Sequence, residues 1–496
     1  MTVIETNANF VGEGANALPA RVRRGEQAAQ LRGSALINPR MGKTEQSRVA
    51  RIAAIVVVPV LLAGCAGDGG AGADPATTTV TGGTEGTAPP PTDATTTLQP
   101  GDCPTAGEGV AWRDDATVTL EQISADSGIE VYAAEYPLPG PTDGLWSQWG
   151  QAIALGDGRQ ISAVGDHLGV DANSHFFVYD SETRALTRFA DVLSTVPHEP
   201  GAFGYGKVHA NMVQDGCGRV WAATYWGTRD DLTYERGYEG DRLLAIDPAG
   251  RTISDHGAIA GEYGMPAMTI APDGKTLVVG SVDVESGESD VGILTVFDTS
   301  TVKTTYQVDD PRQYGFRALG IDPVSGGVLY GIGDGKLAAL DPATGEYHDL
   351  DVTMPGYWLR AITRPAPDGT VYGASDDEDG LFAIEPDGSL VELGEPGGTT
   401  TSIAMTPDGS RIFWMPEAHG GAWEVGAKIM AMDTASGEMS EVVSLLDAFE
   451  EELGLLPGGT YSTVYNDGRL ILGVNASDRD DDSGFGTVVL VVVEGV

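Results

Sequence analysis

The chain holds only seven histidines in 496 residues. Three of them, His167, His209 and His419, stand among residue types that can do chemistry. Asp166 precedes His167, and Glu417 lies two positions before His419. Imidazole changes charge near neutrality, so His209 and His419 are candidate catalytic bases. Asp166, His167, His209, Glu417 and His419 also form a candidate metal set, since zinc, manganese and iron take imidazole and carboxylate ligands. No short His-x-x-His spacing supports that set, so a divalent metal stays an open expectation. Arg317 and Arg360 offer planar forks that match carboxylate or phosphate. Tyr225, Trp226 and Tyr461 offer flat faces for a sugar ring, and with His167 and the arginines they make the candidate ligand-binding set. Taken singly, each of these residues could equally satisfy loop carbonyls or pack between strands. The functional case needs them brought together.

A repeat supplies the means. From about residue 105 an apolar strand, an Asp-Gly-type turn and a second strand recur, followed by a loop, a third strand, an Asp-Pro-like turn and a fourth strand. The first turn occurs at Asp157-Gly158, Asp215-Gly216, Asp273-Gly274, Ser325-Gly326-Gly327, Asp368-Gly369, Asp408-Gly409 and Asp467-Gly468. Asp-Gly suits a two-residue hairpin because both central positions can take positive φ. The second turn occurs six times, from Asp180-Ser181 to Asp433-Thr434. Self-similarity at about 40–60 residues with four strands per unit predicts an all-β, seven-bladed β-propeller of four-stranded antiparallel blades. The last unit lacks its fourth strand, because the chain stops after Val488-Val-Leu-Val-Val-Val493. The N-terminal strand Ile129-Glu-Val-Tyr-Ala-Ala-Glu-Tyr136 is the natural donor that closes the ring and removes the open edges.

In such a ring, the loops entering each first strand share a face with the loops joining second and third strands. Asp166, His167, Tyr225, Trp226, Glu417 and His419 follow second strands. His209, Arg317, Arg360 and Tyr461 sit near first strands, which line the axis. All ten are therefore expected on one face, around a common axis.

The sequence resembles bacterial exported seven-bladed propellers of the YVTN, quinoprotein-like and streptogramin-lyase-like groups. The resemblance rests on the repeat and on turns such as Asp341-Pro-Ala-Thr-Gly345, and it covers residues 105–496. It implies the fold and says little of the activity, since propellers host many functions. Gly206-Lys-Val-His-Ala210, Ala223-Thr-Tyr-Trp-Gly227, Glu417-Ala-His-Gly-Gly421 and Gly458-Gly-Thr-Tyr461 are similar to stretches of uncharacterised exported propellers.

The N-terminus speaks to location. A basic stretch from Met41 to Arg51, an apolar run from Ile52 to Leu62 and Leu62-Ala-Gly-Cys65 have the three regions of a secretory leader. The run is too short to span a bilayer. Its ending resembles a bacterial lipobox, which implies that Cys65 is the lipidated mature N-terminus. Residues 1–64 are thus read as extension and leader, with Met41 the better start. Residues 65–104, rich in Gly, Thr and Pro, are read as a flexible tether. Cys103 and Cys217 remain, either disulfide-bonded in an oxidising compartment or as two thiols.

The net charge is −43, and −47 once the eight basic and four acidic residues before Cys65 are removed. That argues against nucleic acid as a partner and leaves the lipid anchor as the sole membrane contact. There is no P-loop, no dinucleotide fingerprint and no Gly-x-Ser-x-Gly elbow. The acidic run Asp478–Asp482 contains Arg479 and reads as a solvated loop, not a calcium site. Two functions are expected. One is binding, at the extracytoplasmic membrane face, of an anionic or carbohydrate ligand or another exported protein. The alternative is a lyase or hydrolase acting on a uronate-like or lactone substrate with a His base.

Overall fold

The computed structural model describes residues 103, 109–140, 146–225, 237–282, 292–310, 317–376, 380–481 and 483–496. All lie in the unit Pro90–Val496. The leader, Cys65, most of the tether and Trp226 fall outside the described residues.

Seven antiparallel sheets form the blades of a β-propeller. The first strands of blades 1–6 are Ile153–Ala154, Val213–Gln214, Gly264–Ile270, Gly320–Ile321, Leu359–Ile362 and Ala404–Met405, and that of blade 7 is Leu455–Asn466. Strands two to four of each blade follow in order outward. Apolar side chains from both faces of these strands pack between neighbouring blades. Trp221 of blade 2 is fully buried among Met268, Leu277 and Phe297 of blade 3, and Trp414 of blade 6 meets Tyr372 and Ala374 of blade 5. Such a ring needs no central hydrophobic core, so its axis is left for other residues.

The ring closes as expected. Strand Ile129–Glu135 (β4) pairs antiparallel with Thr487–Glu494, with Val131 opposite Val493 and Glu135 opposite Val489. The structure adds a belt that the repeat does not announce. Strands β1 (Val110–Ala111), β2 (Ala116–Thr119) and β3 (Glu121–Asp126) extend blades 2, 1 and 7 as fifth strands. The incoming chain therefore covers three consecutive outer edges that would otherwise offer unpaired backbone groups. Trp112 stacks on Phe189 with ring centroids 3.9 Å apart, and Arg251 pairs with Asp114. A Cys103–Cys217 disulfide, Cα atoms 5.7 Å apart, ties the start of this belt to the first turn of blade 2.

The Asp-Gly turns work differently from the reading above. Only Asp467-Gly468 places both residues at positive φ, 49° and 77°. In blades 1, 3, 5 and 6 the glycine alone is left-handed. The aspartate instead accepts hydrogen bonds from backbone N–H groups two or three residues on, as Asp273 does from Lys275 and Thr276. In blade 2 the left-handed role passes to Gly218. The Asp is thus selected as a local backbone acceptor, the Gly for its φ.

Candidate functional site

Several elements deliver side chains to the axis on one face. The segment entering blade 1 brings Trp149. The segment entering blade 2 brings Lys207 and His209. Arg317 precedes the first strand of blade 4, Arg360 lies within that of blade 5 and Tyr461 within that of blade 7. The loops after second strands add His167, Tyr225 and His419.

Trp149 is the hub. Its indole N–H donates to the Ser147 hydroxyl, and its ring stacks on His167 at 5.3 Å and meets Tyr461 at 4.7 Å. The Lys207 ammonium nitrogen lies 3.9 Å above the same ring and 5.4 Å from that of Tyr225. Arg317 donates from a terminal guanidinium nitrogen to the Trp149 carbonyl at 3.2 Å and lies over Tyr461 at 4.6 Å. Arg360 lies over Trp358 at 4.9 Å. Backbone N–H groups of Tyr357 and Trp358 bond the Asp376 carboxylate, which fixes that segment.

Lys207, Arg317 and Arg360 are all buried, and among the described residues none makes an ion pair with a carboxylate. Among the described residues, the Nε groups of Arg317 and Arg360 have no hydrogen-bond partner. Burial is the first cause that holds all three below their usual ranges. Arg317 is lowered to about 10, with Arg360 adding repulsion; Lys207 is held well below an ordinary lysine, with Arg317 adding repulsion; Arg360 is lowered against the opposing pull of Asp376. Buried charges are ordinarily paired.

The same surroundings keep the histidines neutral. His209 Nδ1 faces the Pro266 carbonyl at 2.9 Å. A carbonyl only accepts, so Nδ1 carries the proton and the lone pair is on Nε2. Burial, then Arg317 and Lys207, hold His209 well below the usual imidazole range. His419 Nδ1 lies 2.5 Å from the Tyr461 hydroxyl. His419 is exposed at the axis although protein surrounds it. Loss of bulk water and then Arg360, Arg317 and Lys207 push it down.

The candidate metal set is not assembled. Among the described residues no group of three His, Cys, Asp or Glu side chains is placed to hold an ion. The reasons are local. Asp166 spends its carboxylate on the backbone N–H groups of Leu168 and Asn173, closing its own loop. A side chain at Gly206 would come within 2.6 Å of it. Burial raises Asp166 to about 6. His209 is engaged with Pro266, His419 with Tyr461, and His167 is stacked on Trp149. Glu417 takes a left-handed φ of 60° and packs beside Gly398.

Of the ligand-binding candidates, His167, Tyr225, Arg317, Arg360 and Tyr461 join one contiguous cluster with His209 and His419. Two of its central members, Lys207 and Trp149, were not among the candidates. Lys207 lies inside Gly206-Lys-Val-His-Ala210, a passage already conspicuous in the sequence.

A seven-bladed β-propeller with a cationic, aromatic cluster at its axis is the class these observations define. No protein-family model and no curated protein sequence matches the chain. Among solved structures it is similar to a catalytically inactive virginiamycin B lyase from Staphylococcus aureus, solved with quinupristin. The TM-score is 0.50 at 10% identity, over 74% of this chain and 100% of that one. A streptogramin B lyase gives 0.48 at 13% identity, over 73% and 97%. A putative 6-phosphogluconolactonase from Bacteroides fragilis gives 0.41 at 14%, over 59% and 82%. At such identity the first shows a shared fold alone, and the other two carry no argument.

Proposed function

We propose that the protein is an extracytoplasmic, lipid-anchored binding protein whose axial cluster holds an anionic small molecule. One observation carries the reading. In a chain of net charge −43, three buried cations gather at one point, and among the described residues none of them is ion-paired; Asp376 acts only on Arg360, and only electrostatically. An unpaired buried ion costs several kcal/mol, and a bound anion would offset that cost. Trp149 and Tyr461, both buried, back these cations with an apolar wall. The test is titration of purified propeller with inorganic phosphate and with small carboxylates, followed by tryptophan fluorescence. Binding should saturate in the wild type and weaken in Arg360→Gln. A flat titration in the wild type would end the proposal. Lipidation is tested separately, by fatty-acid labelling that Cys65→Ser abolishes.

The tautomer of His209 favours a second reading, a lyase or hydrolase on a uronate-like or lactone substrate. Fixed by Pro266, neutral His209 presents its lone pair at Nε2, the state a general base needs. The arginines would hold the substrate carboxylate. The His419–Tyr461 pair could pass a proton to a leaving group. Turnover of such substrates should vanish in His209→Ala and fall sharply in Tyr461→Phe. Anion binding without turnover in the wild type leaves the binding reading alone.

A further inference from the structure

We propose that Lys207 is a nucleophilic amine that captures an anionic 2-oxo acid as an imine, with Arg317 holding the carboxylate. The inference rests on the anion-site reading and names its ligand class.

Lys207 and Arg317 converge on one residue. The amine lies over the Trp149 ring at 3.9 Å, and the guanidinium bonds the Trp149 carbonyl at 3.2 Å. A small molecule carrying a carbonyl next to a carboxylate would turn the carbonyl to the amine and the carboxylate to the guanidinium. Among the described residues, no hydrogen-bond acceptor or carboxylate engages the Lys207 nitrogen. The ionisable groups around it are Arg317, His167, His209 and His419 with the phenols of Tyr225 and Tyr461, and among the described residues no carboxylate acts on it.

Such crowding must be relieved, and the three cations are unequal. A guanidinium does not release its proton in proteins, whereas a buried ammonium readily does. Lys207 is therefore the group that gives way. Its pKa direction agrees, since burial and then Arg317 hold it well below the lysine range. The attraction of a cation for the Trp149 face opposes this, but more weakly than leaving an ammonium buried and unpaired disfavours the charge. A desolvated lysine next to another cation is the setting in which amines act as nucleophiles.

The step balances without a co-reactant. The nitrogen lone pair forms the C–N bond as the carbonyl π bond opens to a carbinolamine. The carbonyl oxygen then leaves as water with both protons the amine carried, and a C=N bond remains.

Glyoxylate with cyanoborohydride tests this, because reduction fixes the imine as a carboxymethyl group readable by peptide mass mapping. Lys275, Lys303, Lys336 and Lys428 lie outside the cluster and serve as internal controls. At neutral pH and limiting glyoxylate, Lys207 should be labelled at least about tenfold more than any of them, since each unit of pKa lowering multiplies the free amine by ten. The label should vanish in Lys207→Arg while control labelling persists. Inorganic phosphate should protect Lys207 in the wild type. Labelling of Lys207 no greater than the controls overturns the imine. If phosphate still binds in that case, the anion site stands; if it does not, both readings fall.

Discussion

Arg317→Met separates a ligand site from a structural brace because the two roles predict opposite signs. Arg317 is buried, its Nε is unpartnered, and its one described hydrogen bond runs to the Trp149 carbonyl at 3.2 Å. Methionine keeps the apolar stem of Arg317 to about the Nε position and removes the charge. Replacing a buried charge by a well-packed apolar group is commonly neutral or stabilising by up to about 4 kcal/mol. The lost bond to Trp149 subtracts about 1.5–3 kcal/mol. Relief of repulsion with Lys207 and Arg360 tips the remainder toward stabilisation. Unfolding entropy of about 2 cal/mol/K per residue over the propeller's roughly 390 residues makes the shift about 1 °C per kcal/mol. Calorimetry without added anion should therefore show a Tm unchanged or raised by up to ~2 °C. Anion affinity should move the other way. Loss of one charge-assisted bond costs about 1.5–3 kcal/mol, or roughly 10–150-fold in Kd. The anion-induced rise in Tm should shrink to match. A variant clearly less stable than the wild type that binds phosphate as well would refute the reasoning, for Arg317 would then be holding Trp149 in place.

Other expectations concern the scaffold. Asp215 is buried and accepts from Arg219, from the Trp221 indole and from two backbone N–H groups; Asp215→Ala should cost about 3–5 kcal/mol in urea unfolding by stranding Arg219. Removing the disulfide with Cys103→Ser and Cys217→Ser opens a 114-residue loop and should cost about 2–5 kcal/mol. Amide exchange should then speed up in β1, which pairs only through Val110 and Ala111. Acid should destabilise the fold. His167 and His175 titrate at about 3 and about 4 when folded, against 6.5 unfolded. Below pH 6.5 the unfolded chain takes up protons that the folded one refuses, so stability falls by about 1.4 kcal/mol per pH unit per histidine. Asp166, raised to about 6 by burial, binds its proton first in the folded state and returns about the same slope for one group between pH 6 and 4. With His209 and His419 also held below the imidazole range, stability measured from pH 6 to 4 should therefore fall with a net slope steeper than that of one histidine; a flat profile would contradict these shifts.

The blades were legible because most are stamped with an aspartate that caps its own turn and a glycine that takes the left-handed φ. These are local requirements, written in neighbouring residues. The closing strand was legible for a topological reason, since a blade with three strands needs a fourth. The belt was not. Strands β1 to β3 are short, and segments such as Ala116-Thr-Val-Thr119 are polar on their outer side, so they carry little periodic signal and are held by edges supplied from far along the chain. The site shows the same division. Its face and axis followed from strand direction, which is why residues as distant as His167 and Tyr461 could be grouped. Asp166 and Glu417 share that face, yet neither joins a metal set. Spacing alone does not reveal that the loop backbone consumes the Asp166 carboxylate. Trp149 carried no signal because it lies ahead of the first complete repeat. Lys207 was passed over because a lysine ordinarily reads as surface; only its position on an inner segment makes it buried.

The opposition between exterior and axis has a kinetic meaning. A surface far on the negative side repels an approaching anion, while the cluster inside attracts it. The exterior field acts through water and is cut off within a Debye length, about 8 Å at physiological salt. The cations at the axis act over contact distances in a protein-lined space and are screened much less. Salt should therefore weaken the barrier to approach more than it weakens the bound state. Ordinary steered association slows as ionic strength rises; capture here should quicken with an inert salt until that salt's own anion competes for the site.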